Sequence, residues 1–193
     1  MSAGDRSAGV WSAGVGSAGF GSAVVWFTGL PSSGKSTLAR RVQERLAGAG
    51  HAAVMLDSDE VREALGARRY DAEERDGFYR ALAALAALVA KQGIVVLVAA
   101  TAPKREHRDR ARRAVGEGGR FIEVWVSTPL SVCEARDTKG LYARARRGEA
   151  PEVPGIGVAY EPPLVPEVVA EGDPETAVAA IVGLLVSPVG MAV

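Results

Sequence analysis

GLPSSGKST, residues 29–37, decides how the rest of this chain is read. Gly29, Gly34, Lys35 and Ser36 fit the spacing G-x-x-x-x-G-K-[ST]. Glycines at these positions let the backbone curl until its N–H groups face one concavity. A helix opening at the end of the curl adds the positive end of its dipole. Lys35 reaches toward the outer phosphates of a nucleotide, and the Ser36 hydroxyl suits Mg²⁺. Gly29, Leu30, Pro31, Ser32, Ser33, Gly34, Lys35, Ser36 and Thr37 therefore read as one phosphate cradle for ATP. The flanks agree. VVWFT, residues 24–28, is an apolar strand, and Leu38, Val42 and Leu46 mark one face of a following helix.

Outward from the cradle, apolar runs and helical patterns alternate. Strands are expected over 24–28, 52–56, 94–100, 121–127 and 167–170. Helices are expected over 35–46, 59–65, 72–91, 104–115, 129–136 and 174–185. Residues 137–166 carry many Gly, Pro, Arg and Lys and are expected to include a mobile lid. Such alternation implies a mainly parallel five-stranded sheet in a three-layer α/β/α sandwich, the P-loop NTPase type of α/β fold. Ligands of these sheets collect beyond the carboxyl ends of the strands. Chemistry is therefore expected in the loops 29–37, 57–62, 100–106 and 128–147.

Asp57 closes the second strand, a usual place for an acid near a phosphate-bound metal, so Ser36 and Asp57 are the expected magnesium ligands. Asp59 follows two residues on, and one acid of the pair, Asp57 or Asp59, is expected to orient the attacking hydroxyl or take its proton. The plainer role for Asp59 is a helix cap.

The composition narrows the partners. The chain has 193 residues, enough for one domain with its own core, and a formal net charge of zero. No global field attracts nucleic acid or an anionic membrane. The basic stretch KREHRDRARR, residues 104–113, carries interspersed acids and reads as a solvated helix face. The apolar stretch 81–100 is interrupted by Lys91, Gln92 and Gly93 and reads as helix, turn and strand rather than a membrane span. Cys133 is the sole cysteine, which fits a cytoplasmic chain and a buried packing role. His51 and His107 are expected at the surface; Trp26 and Trp125 are expected in the core. Residues 1–22 repeat Ser-Ala every five positions, from Ser2 to Ser22, and read as a disordered leader before a P-loop domain over 23–193. Only four lysines stand against nineteen arginines, which draws attention to Lys35 and Lys139.

With these pieces placed, the chain resembles adenylyl-sulfate (APS) kinases from about residue 24 to 172. The resemblance rests on WFTGLPSSGKSTLA, LDSDEVR, APKREHRDRAR, FIEVWVSTPLSVCEARDTKGLYARARRGE and GIGVAYEPP, in that order. It implies transfer of the γ-phosphate of ATP to the 3′-hydroxyl of APS, giving 3′-phosphoadenylyl sulfate. It implies that Asp57 and Asp59 match the family's acidic pair, and that Arg62 and Arg75 hold the acceptor nucleotide. Tyr70 stands near a family aromatic that stacks on adenine. Lys139, Gly140, Leu141 and Tyr142 match a lid motif over the site, with Lys139 in a catalytic role beside Lys35. Thr101 and Ala102 complete the expected acceptor wall, and a homodimer is the expected assembly.

The departures fall in the acceptor half. Phe78 stands where the family usually has asparagine, Ala81 where it has a second arginine, Ala102 where it has serine, and Gly157 where it has aspartate. Each removes a polar group from an expected substrate surface. In one reading Phe78 or Tyr70 stacks on the adenosine of APS instead. In another the scaffold phosphorylates a different small hydroxylated metabolite; in a third it binds nucleotide without transferring phosphate.

Overall fold

A computed structural model describes residues 21–67 and 69–186 of the chain. Most of the expected leader lies outside the described residues. Five strands form one sheet: β1 (Ala23–Thr28), β2 (Ala53–Asp57), β3 (Val95–Ala99), β4 (Arg120–Val126) and β5 (Val168–Ala170). Their order is β2-β3-β1-β4-β5, and every pairing is parallel. The helices are α1 (Lys35–Gly48), α2 (Ser58–Leu65), α3 (Ala72–Ala90), α4 (Arg105–Val115), α5 (Leu130–Ala135), α6 (Leu141–Arg146) and α7 (Pro174–Val186). Each expected element is present, with ends shifted by one or two residues.

The central strand explains the layering. β1 is buried along its whole length, because a parallel strand between two helical layers has no solvent face. Its alternate residues part company. Ala23, Val25 and Phe27 pack toward α1 and α7, with Leu38, Val42, Val178 and Ile181. Val24 and Trp26 pack toward α3 and α4, with Leu82, Ala86 and Ala111. The many alanines of α3 allow that close approach, since a small side chain lets two backbones come together without leaving a void. In this register Thr28, Asp57 and the loops after Ala99 and Val126 all emerge along one edge of the sheet.

The structure adds one helix and corrects three expectations, a solvated α4, a surface His107 and a Trp125 in the core. The segment after residue 137 is not all loop: α6 forms there because the Asp137 carboxylate accepts from the backbone N–H of Leu141 and Tyr142, at 2.7 and 2.6 Å. Tyr142 and Ala145 then bury against Cys133 and Val153, a separate small core under the lid.

α4 is not simply a solvated face. His107 and Arg108 are each 1% exposed. Arg108 is tolerated there because each of its three nitrogens donates a hydrogen bond: Nε to Glu123, Nη1 to the Ala102 carbonyl and Nη2 to the Glu161 carbonyl, each 2.7 Å. His107 lies against the Tyr79 ring, and burial pushes its pKa down to about 4, which keeps it neutral. Trp26 is in the core as expected, whereas Trp125 is half-buried. Among the described residues no helix is long and apolar enough to cross a membrane.

Candidate active site

The cradle begins where β1 stops. Gly29 has φ 150°, and a Cβ there would lie 2.6 Å from the Val126 carbonyl oxygen and 2.9 Å from Ser33 Oγ. Only glycine lets the loop pass this close to β4. Gly34, at φ 101°, turns the chain into α1, and Ser32 adopts φ 59° between them. The Thr128 hydroxyl donates to the Ser33 carbonyl at 2.8 Å and ties the loop to the end of β4. Lys35 Nζ crosses the loop and donates to the Leu30 carbonyl at 2.7 Å. Burial pushes the Lys35 pKa down to about 8. A desolvated ammonium of this kind gains strongly from a phosphate beside it.

Asp57, the last residue of β2, is buried and has both oxygens engaged. Oδ2 accepts from Ser36 Oγ at 2.5 Å, and Oδ1 accepts from the Asp59 N–H at 2.9 Å. The cap of α2 is therefore Asp57, not Asp59. Asp59 is left facing the cleft, where Oδ2 accepts from Lys139 Nζ at 3.0 Å. That bond holds the Lys139 pKa above the usual lysine value. A hydroxyl and a carboxylate side by side are hard oxygen donors of the kind Mg²⁺ takes, and no cluster of three His, Cys, Asp or Glu able to hold a metal occurs among the described residues. The pair fits an ion held by one or two protein oxygens together with phosphates.

The opposite end of the cleft is lined by side chains from α2, α3 and the lid. Arg62 and Arg75 both reach it and are both nearly buried. Arg75 Nη2 donates to the Tyr70 carbonyl and the Glu152 carbonyl, each at 2.7 Å, and to Glu152 Oε2 at 3.3 Å. Tyr70 is half exposed at the rim. Thr101 lines the wall, its carbonyl accepting from Thr28 Oγ1 at 2.7 Å.

Two residues expected at this wall are elsewhere. Phe78 is 5% exposed and belongs to the core on the α3 side, where it lies beneath the Arg62 guanidinium. It cannot stack on an adenosine in that position. Ala102 is buried at φ 41°, its N–H donating to the Tyr79 hydroxyl at 3.0 Å.

In the lid, Leu141 lines the cleft beside Lys139, while Gly140, at φ 64°, sets the turn into α6. The buried Tyr142 points its hydroxyl at the Pro31 carbonyl, 2.9 Å away, and so joins the lid to the phosphate cradle. Gly157 also has a structural reason. A Cβ there would stand 1.8 Å from the Pro151 carbonyl oxygen, so this loop path excludes any side chain.

Sequence reasoning missed Tyr79, Glu152 and Asp137. Asp137 lies four residues before the start of α6, outside the cap position held by Gly140, so its bonds to the Leu141 and Tyr142 N–H groups carry no local sequence signal. Tyr79, one residue after Phe78, has only its position on α3 to mark it. Glu152 carries no motif at all.

The whole arrangement is a single cleft of about 1490 Å³ with the cradle at one end and the two arginines at the other. The family model described as adenylylsulphate kinase matches residues 21–171. The chain is 50% identical over 152 residues to an adenylyl-sulfate kinase of Paraburkholderia xenovorans, covering 78% of this chain and 84% of the relative. It is 45% identical to an adenylyl-sulfate kinase of Shewanella pealeana, covering 84% and 80%. Its fold matches the Mycobacterium tuberculosis APS kinase CysC, solved in complex with AMPPNP and APS, with a TM-score of 0.80, 39% identity and coverage of 85% of this chain and 97% of that one. Family model, relatives and cleft agree: the chain belongs to the adenylylsulphate kinase family, kinases that transfer phosphate to a hydroxyl acceptor.

Proposed function

We propose that this chain transfers the γ-phosphate of ATP to the 3′-hydroxyl of adenylyl sulfate. The carrying observation is that the phosphate cradle, two near-buried arginines and the hydrogen-bonded Lys139–Asp59 pair line one cleft. In the reaction the 3′-oxygen bonds to the γ-phosphorus, the bond to the β-phosphate oxygen breaks, and ADP leaves. Asp59 orients the hydroxyl and accepts its proton, since both oxygens of Asp57 are already engaged by Ser36 and the Asp59 N–H. Lys35 and Lys139 balance the charge of the transferring group. Ser36 and Asp57 would hold Mg²⁺, which supplies neutralisation of the phosphates. Arg62 and Arg75 offer planar guanidinium groups suited to the phosphosulfate oxygens.

Kinship supports APS as acceptor. A narrower second reading, a less anionic hydroxylated metabolite, draws on the Glu152 carboxylate that already partners Arg75. The cytoplasm is the proposed location, consistent with a lone buried thiol, and a second copy of the chain is the proposed partner. ATP consumption with APS, beside a panel of nucleosides, sugars and amino-alcohols, tests the acceptor. The expected result is turnover that depends on APS and yields a 3′-phosphorylated product; turnover on another panel member with none on APS selects the second reading.

A further inference from the structure

The two arginines of the acceptor end are held in different ways. Arg75 is fixed by hydrogen bonds, three of them through Nη2 to Tyr70 and Glu152. Arg62 has a long bond from Nη1 to the Arg69 carbonyl, 3.4 Å. Its stronger contacts are aromatic. The guanidinium carbon lies 3.8 Å from the centroid of the Phe78 ring, 4.6 Å from that of Tyr70 and 6.0 Å from that of Tyr79. Phe78 is itself locked, edge-on to Tyr79 with ring centroids 5.4 Å apart, on the buried face of α3.

Stacking fixes a guanidinium without spending its N–H donors, which point in the plane of the group. A hydrogen-bonding residue in place of Phe78 would consume some of them. Resting on the proposed transfer to APS, we infer that Phe78 is a positioning residue: it holds the plane of Arg62 so that the free donors of this arginine meet the anionic acceptor. Phe78 does not touch the acceptor and acts only through Arg62. The Phe78 position, polar in the resemblance drawn from sequence, thus keeps a part in acceptor recognition from beneath the site.

The test is a double-mutant cycle on the full chain, with APS and ATP as substrates. Phe78→Leu is expected to raise the KM for APS by roughly tenfold, within the range of a desolvated cation–π contact, with the KM for ATP unchanged. Phe78→Tyr, which keeps the ring, is expected to stay near the wild type. In an Arg62→Ala background Phe78→Leu is expected to add nothing further to the KM for APS. Phe78→Met fills the space without a ring and provides the same reading if the leucine variant folds poorly. Equal damage to the KM of ATP and APS, or multiplicative effects of the Phe78 and Arg62 changes, would overturn the inference and leave the proposed reaction standing. A wild-type chain with no turnover on APS would overturn the reaction, and the inference with it.

Discussion

At the donor end of the cleft, most ligand-facing groups come from nine consecutive residues, Gly29 to Thr37, and most of the work falls to the backbone. At the acceptor end they come from α2, α3, the loop after β3 and the lid, and side chains do the work. The donor end meets a ligand with glycine-shaped backbone and a desolvated ammonium. The acceptor end is already an ion-pair and stacking network, with Lys139 on Asp59, Arg75 on Glu152 and Arg62 on Phe78. Triphosphate recognition is thus built by a local motif, whereas acceptor recognition requires Arg75 and Lys139 to exchange existing partners. A change at the donor end should cripple function; a change at the acceptor end, outside the reacting Asp59–Lys139 pair, should retune it.

The largest expected effect is Lys35→Ala. Loss of this charge at the transferring phosphate should lower kcat/KM by roughly 10²–10³-fold, the scale of a lost preorganised charge-stabilising donor. Steady-state kinetics checks it, and unchanged turnover would remove the cradle from the reaction.

A second test uses the titration of Lys35. In the free chain burial places its pKa at about 8, and a bound phosphate raises it, so ATP binding takes up a proton above that pH. Affinity for ATP is fully present below pH 8 and should fall by up to about tenfold per pH unit above it. Lys35→Arg, charged throughout, should flatten that slope. Calorimetric titration with ATP between pH 7 and 9.5 reads it, and a flat wild-type profile would contradict a desolvated ammonium at the donor end.

The smallest effect lies at the acceptor end. Glu152→Gln removes a half-exposed carboxylate from Arg75. The KM for APS should fall by up to about fivefold, the worth of an exposed ion pair, with the KM for ATP unmoved. A rise would instead make Glu152 part of the acceptor contact.

The same division runs through what the sequence made legible. The β/α alternation, the cradle and the Asp57 position follow from local patterns, and the structure places them within a residue or two. Phe78 was misplaced, although Arg75, Phe78, Tyr79, Leu82, Ala83 and Ala86 fall at the spacings of one buried helix face. The substitution drew attention to substrate, while the periodicity pointed to the core. Arg108 reads as solvent-facing because its partner Glu123 lies on another element, and nothing local announces the pair. Helix α6 was hidden by Gly and Arg content, and its supporting carboxylate, Asp137, lies three residues before the Gly140 cap position. Glu152 meets Arg75 across 77 residues, so the acceptor network exists only once the chain has folded.

The most direct measurement follows the γ-phosphate itself. Purified chain, ATP labelled in the γ-phosphate, Mg²⁺ and APS are mixed, and the labelled products are separated and identified. The account predicts label on the 3′-oxygen of the adenylyl sulfate in step with the ADP formed. Label released only as inorganic phosphate, or retained in ATP while APS stays unchanged, would contradict it.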